Sequence, residues 1–188
     1  MTGRILGAVL AGGRSSRFGS DKALALFERR PLLDHAIDAL SDQVDAVVVC
    51  GRRLASRLCL PDRPRSDLGP LGGLAAALRH ALDHDYEAVV STGCDTPMLP
   101  ADLVLRLQRA GSASYVGDLP IVGLWPARLA PVLDRFLTGS PSRSMRAWSA
   151  CAEATAIDLP RSVPNINTTL DLERLERAAC CGEPTARS

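Results

Sequence analysis

The side chains best suited to chemistry lie close to the N-terminus. An apolar run, Ile5 to Leu10, leads into Ala11, Gly12, Gly13, Arg14, Arg17, Gly19 and Lys22. The glycines allow turns and close backbone approach that a Cβ would block. Successive N–H groups in such a loop form a concavity for anions. Arg14, Arg17 and Lys22 add donors and fixed positive charge suited to phosphate oxygens. A strand ending in a loop of this kind is built to hold a polyphosphate, which points to a nucleotide enzyme.

Two familiar phosphate loops do not fit. A Walker loop needs Gly-Lys-Ser/Thr at the start of a helix, whereas Gly19 is followed by Ser20, Asp21 and Lys22, with Ala23 next. The dinucleotide fingerprint needs G-x-G-x-x-G, whereas Gly12 and Gly13 are adjacent.

A second constellation runs from Thr92 to Pro100 and contains Cys94, Asp95, Thr96 and Pro97. It follows the apolar stretch Tyr86 to Ser91, which reads as a strand. In open α/β sheets ligands bind beyond the carboxyl ends of strands. A carboxylate at such an end suits Mg²⁺, which takes oxygen ligands and shares its sphere with phosphates. Asp95 equally suits capping of a helix that starts near Pro97 or Pro100. Asp62 and Asp67 precede a Gly-Pro-Leu-Gly-Gly stretch, Gly69 to Gly73. A carboxylate there can accept from the paired N–H donors of guanine, and either residue also reads as a solvated loop acid. Asn165 and Asn167 lie before the last helix and project the same way if the stretch is extended. Thr168 or Thr169 can instead cap that helix.

The elements that must place these residues alternate. Ile5–Leu10, Val44–Cys50 and Tyr86–Ser91 read as strands. Leu32 to Leu40, Leu71 to Leu82 and Pro100 to Ala110 carry apolar residues at helical spacing. This β-α order favours a parallel sheet covered on both faces. Further on, the pattern predicts short strands at Ala113–Val116 and Pro120–Leu124 and helices over Pro126–Leu137 and Ser142–Ser149. It ends with a strand over Cys151–Leu159 and a helix over Leu170–Ala179. Leu60 to Pro70, rich in proline and charge, reads as a long loop, the kind that often carries function.

Length and composition fit this class. With 188 residues, 46% hydrophobic and 23% charged, one domain over 1–181 with a frayed tail at 182–188 is the expectation. The net charge of +1 and an aromatic content of 4% argue against nucleic-acid binding by broad charge or base stacking. The six cysteines form no C-x-x-C pair and no zinc set. No membrane-length apolar stretch and no signal-peptide pattern is present, so a reducing cytoplasm with free thiols, including Cys180 and Cys181, is expected.

The segments Leu10-Ala-Gly-Gly, Arg17-Phe-Gly and Asp21-Lys22-Ala resemble the opening of the nucleotidyltransferases that make sugar nucleotides and related molecules. Within that group the chain resembles the bacterial molybdenum cofactor guanylyltransferases, from Ile5 to Leu175. The resemblance implies an α/β fold, a Rossmann-like three-layer α/β/α with a mostly parallel central sheet of the nucleotide-diphospho-sugar transferase type. It implies transfer of GMP from GTP to the terminal phosphate of molybdenum-molybdopterin, with release of pyrophosphate and Mg²⁺ as cofactor. Leu10, Ala11, Gly12, Gly13, Arg14, Lys22, Asp62 and Asp95 would then bind nucleotide, and Asp95 the metal. Lys22, Arg17 and Asp95 would carry catalysis, with Asn165 and Asn167 near the acceptor or metal. Trp125 and Trp148 fall in matching segments and read as packing residues, while Arg143 and Arg146 are candidates for an acceptor phosphate. Cys50 departs from the pattern, because the resemblance implies an asparagine there and a thiol is a weak hydrogen-bond partner. Other readings are the same chemistry with CTP or another acceptor, and a non-catalytic GTP-binding adaptor for molybdoenzymes. Molybdoenzymes or other cofactor-biosynthesis proteins are the expected protein partners.

Overall fold

The structure is a computed structural model and describes residues 3–12, 21–55 and 57–180. Gly13, Arg14, Arg17 and Gly19 of the glycine-rich loop lie outside the described residues.

Strand β1 (Ile5–Leu10) is buried at every position, as expected of a central parallel strand covered on both faces. It pairs in parallel with β4 (Ala46–Cys50) on one side and β6 (Ala88–Gly93) on the other. β5 (Cys59–Leu60) extends one edge in parallel. Beyond β6 the direction reverses. β8 (Leu119–Pro126) runs antiparallel to β6 and to β7 (Ser114–Val116), and β9 (Thr155–Ile157) joins β7 in parallel. The sheet has seven strands in the order β5-β4-β1-β6-β8-β7-β9. A separate hairpin pairs β2 (Leu26–Phe27) with β3 (Arg30–Pro31).

Alternation along β1 divides the core. Leu6, Ala8 and Leu10 pack with α2 (Pro70–Asp83), α4 (Ala130–Gly139) and α5 (Met145–Cys151) through Leu71, Leu74, Leu133 and Trp148. Ile5 and Val9 pack on the other face with α1 (Leu32–Ser41) and α3 (Leu103–Ala110) through Leu33, Ile37, Leu40, Leu103 and Leu107. The expected helix–sheet–helix layering is therefore present. A third, smaller cluster joins Phe27, Leu32 and Ile166 to Leu175 of α6 (Thr169–Cys180). It fastens the C-terminal segment beside the start of α1.

Several element bounds differ from the sequence expectation. The helix expected from Pro100 starts at Leu103, after a turn in which Leu103 N–H donates to the Pro100 carbonyl. Pro126 ends β8, and a short 3₁₀ turn over Ala127–Leu129 precedes α4. α5 starts at Met145, where the Ser144 hydroxyl accepts from Ala147 N–H as an N-cap. Cys151 belongs to that helix, and only Thr155–Ile157 is a strand. Trp125 and Trp148 are fully buried packing residues with ring centroids 6.0 Å apart.

Candidate active site

Register places the strand ends together. Leu10 aligns with Cys50 on one side and Gly93 on the other. The chain thus leaves β1, β4 and β6 at one level, the carboxyl edge where α/β sheets bind ligands. Gly12 and Asp95 emerge from neighbouring strand ends, as the sequence requires for a shared site.

Lys22 joins them. Asp21 accepts from Ala23 N–H and so caps a 3₁₀ turn over Lys22–Leu24. The other Asp21 oxygen pairs with Arg52. The turn directs Lys22 inward, where it is only 8% exposed. Its Nζ donates to Asp95 Oδ2 at 3.0 Å and to Asn167 Oδ1 at 3.1 Å. Lys22 is also the only lysine in a chain with 22 Lys and Arg residues.

Asp95 is held close to the end of β6. A Cβ on Gly93 would stand 2.1 Å from Asp95 Oδ1, so only glycine lets the carboxylate fold back there. Thr96 Oγ1 donates to the Gly93 carbonyl at 2.8 Å and lies 2.6 Å from Thr92 Oγ1, which ties the turn. Asp95 does not cap α3, whose N-cap is Asp102. Its Oδ1 is buried and has no hydrogen-bond partner among the described residues. An orphaned buried carboxylate oxygen, on a residue that shares a lysine with an amide oxygen, is hard-donor chemistry that fits a divalent cation such as Mg²⁺. No group of three or more His, Cys, Asp or Glu gathers among the described residues, so phosphates and water would have to fill most of the sphere. The neighbouring Cys94 thiol is pushed up to about 11, chiefly by burial and then by the Asp95 charge. It stays a neutral thiol.

The second half of the site is a cradle around Asp62. Ala11 N–H donates to the Cys50 carbonyl at 2.9 Å, which carries the β1–β4 pairing one residue past the strand ends. Gly51 has φ +79°, and a Cβ there would meet Gly12 Cα at 2.5 Å. A Cβ on Gly72 would meet Asp62 Cβ at 3.0 Å, and one on Gly73 would meet Cys50 Cβ at 2.9 Å. These glycines let three backbone segments close around one carboxylate. No hydrogen bond or ion pair reaches Asp62 among the described residues. Burial, and secondarily the charge of Asp67, raises its carboxyl above the usual aspartate range. Asp62 also lines a cavity of about 600 Å³ with Gly51, Arg52, Arg53, Arg57 and Leu60.

The other expected residues fall out as follows. Asn165 and Asn167 are exposed and flank the buried Ile166, the alternation of an extended segment. Only Asn167 meets Lys22. Thr168 caps α6 and forms a capping box with Asp171. Cys50 is fully buried in the cluster of Leu71 and Leu74, and burial followed by the Asp62 charge raises its thiol. Arg143 donates to the Leu137 carbonyl at the end of α4, a structural role. Sequence reasoning missed Arg52, Gly51, Gly93 and Asp171. The Thr168-x-x-Asp171 spacing was the available signal for Asp171.

Comparison with known proteins gives the family and agrees with the fold. The model of the MobA-like NTP transferase domain matches residues 7–155. A curated relative from Rhodobacter capsulatus, a molybdenum cofactor guanylyltransferase, is 37% identical over 182 residues, covering 92% of this chain and 95% of the relative. The crystal structure of molybdopterin-guanine dinucleotide biosynthesis protein A from Archaeoglobus fulgidus superposes with a TM-score of 0.76 at 21% identity, covering 94% of this chain and 99% of that one. Rv0371c of Mycobacterium tuberculosis H37Rv, solved in complex with manganese, superposes with a TM-score of 0.64 at 18% identity, covering 93% of this chain and 99% of that one. The chain belongs to the MobA-like NTP transferase domain family and is a nucleotidyltransferase.

Proposed function

We propose that this chain transfers GMP from GTP to the terminal phosphate of molybdenum-molybdopterin. An acceptor phosphate oxygen attacks the α-phosphorus, the α–β phosphoanhydride breaks, and pyrophosphate leaves. The attacking phosphate is already ionised near neutral pH, so no general base is needed. Catalysis then rests on alignment and charge neutralisation. Residues 1–181 act as one catalytic domain in this reading.

The observation that carries it is the meeting of Lys22, Asp95 and Asn167 at the strand ends beside the Gly12–Gly51–Asp62 cradle. Leu10, Ala11, Gly12, Gly13 and Arg14 form the phosphate loop. Lys22 and Arg17 neutralise charge on the transferring and leaving phosphates. Asp62 accepts from the N1–H and amino group of guanine. Cytosine offers one amino donor and no ring N–H at that edge, so the acceptor-only carboxylate favours GTP over CTP. Asp95 Oδ1 and Asn167 Oδ1 would hold Mg²⁺, whose chemistry here is charge neutralisation of phosphate oxygens. Asn165 lines the acceptor side.

The test is a pyrophosphate-release assay with each of the four nucleoside triphosphates, with and without molybdenum-loaded molybdopterin. Release that requires both GTP and the loaded pterin is expected. Release with CTP alone among the nucleotides, or GTP binding with no release, would overturn the reading.

A further inference from the structure

We propose that Asp171 is a positioning residue that fixes Lys22 through Asn167. The inference rests on the assignment of Lys22 to the phosphates.

The contacts form a chain. Lys22 Nζ has three donors and gives two of them to protein, to Asp95 and Asn167. The third is left for a ligand. The direction of that donor depends on where Asn167 holds its amide oxygen. One oxygen of Asp171, Oδ2, accepts from Asn167 N–H at 3.0 Å, Thr168 N–H at 2.8 Å and Thr168 Oγ1 at 2.8 Å. Three donors on one carboxylate oxygen fix the backbone at Asn167. On the other side, Ile166 N–H donates to the Asp95 carbonyl at 2.9 Å, and the Ile166 side chain is buried with Phe27, Leu32 and Leu175. Loss of Asp171 leaves that anchor intact. The segment stays docked while the Asn167 amide loses its fixed direction.

Asp171 also serves α6, since its own N–H donates to Thr168 Oγ1 at 3.2 Å. A cap alone would affect stability and nothing else, so the test must separate the two roles. The lone lysine makes this possible. Growth on side-chain-labelled lysine gives an NMR spectrum whose only labelled ammonium is that of Lys22.

In untagged, nucleotide-free protein, Asp171→Ala is expected to shift and broaden the Lys22 ammonium signal toward that of a free lysine. Leu133→Ala, which destabilises the far side of the core, is expected to leave the signal in place. In pyrophosphate release, Asp171→Ala should lower kcat about tenfold, the loss expected of one charge-linked hydrogen bond. In an Asn167→Ala background it should lower kcat no further while still lowering Tm. Asp171→Asn keeps an acceptor and a cap, and should move the lysine signal part of the way if the alanine variant does not fold. An unmoved lysine signal in both Asp171 variants, or losses of kcat that add across the Asn167 and Asp171 variants, would overturn the inference. If wild type releases no pyrophosphate, the functional reading fails and the NMR comparison still decides the Asp171–Lys22 linkage.

Discussion

Lys22 and Asp95 stand 73 residues apart in the chain, yet the Lys22 ammonium is 3.0 Å from Asp95 Oδ2 in a pocket that leaves their side chains 11% and 22% exposed. The ammonium lies between the Asp95 carboxylate and the Asn167 amide oxygen. In the proposed function Asp95 Oδ1 and Asn167 Oδ1, on the same two side chains, would hold Mg²⁺. Under that reading the Lys22 charge would oppose a divalent ion at Asp95 in the nucleotide-free state, and phosphates that engage the free Lys22 donor would offset that repulsion.

Asp95→Asn separates folding from chemistry here. The amide oxygen still accepts from Lys22, so the pocket keeps its packing and Tm should change little. The charge that holds a metal is gone, and turnover should fall by roughly two or more decades. Lys22→Met should likewise depress turnover, but it should raise the affinity of the nucleotide-free protein for Mn²⁺ by removing the opposing charge. Calorimetric or electron-spin titration with Mn²⁺ reads this directly. Equal Mn²⁺ affinity in wild type and Lys22→Met would show that no such repulsion exists.

Gly51→Ala tests the cradle. Its φ of +79° disfavours any Cβ, and the added atom would meet Gly12 Cα at 2.5 Å. Left-handed strain alone costs on the order of 1 kcal/mol. The larger effect should fall on binding, because β1 and β4 must part where the phosphate loop begins. We expect GTP affinity to drop at least tenfold while the far-UV CD spectrum stays native. Unchanged GTP affinity would remove the cradle from the nucleotide site.

Much of this arrangement was legible before folding. The glycine-rich exit from Ile5–Leu10 and the acid at Asp95 both follow strongly apolar strands, so type and position coincided in the sequence. The three central strands declared themselves through short β-branched and apolar runs at Ile5–Leu10, Ala46–Cys50 and Ala88–Val90, although β4 and β6 both start two residues later than the sequence suggests. The contacts of Lys22 did not, since its partners lie 73 and 145 residues away and no local pattern encodes a pair at that distance. The hairpin of Leu26–Phe27 and Arg30–Pro31 was missed because two-residue strands show no alternation. Its turn also uses Glu28 and Arg29 at positive φ where glycine or asparagine is the usual signal. The expected strand at Cys151–Leu159 was too long because Cys151 is claimed by the helix that buries Trp148, a tertiary choice that overrides local propensity.

Ser91→Ala tests the core beneath the site. Ser91 Oγ donates to the Ile121 carbonyl at 2.7 Å and accepts from Trp125 Nε1 at 2.9 Å, and both side chains are fully buried. Removing the hydroxyl strands the indole N–H in an apolar layer, at a cost of about 1–3 kcal/mol. Denaturant titration should show that loss with an unchanged slope. The KM for GTP should be unaffected, because neither Ser91 nor Trp125 faces the cradle. A rise in KM would instead tie this buried pair to the strand ends.

Asp62 gives the site a pH signature. Its carboxyl sits above the ordinary aspartate range because burial, and then Asp67, disfavour the anion. Only the anion can accept both guanine donors. GTP affinity should therefore weaken on acidification sooner than an ordinary aspartate would dictate, and Asp62→Asn should abolish that dependence along with roughly tenfold or more of the affinity. Stability runs the other way. A folded-state carboxyl pKa above its unfolded value costs stability at neutral pH, and this cost disappears as pH falls through the folded pKa toward the unfolded one. Free Asp62→Asn should thus melt above wild type at neutral pH, with the gap closing in acid. Thermal melts of both proteins from neutral to acidic pH measure the gap. A gap that widens in acid would mean that Asp62 is stabilised as an anion in the folded protein, and the strained, waiting carboxylate assigned to guanine would have to be abandoned.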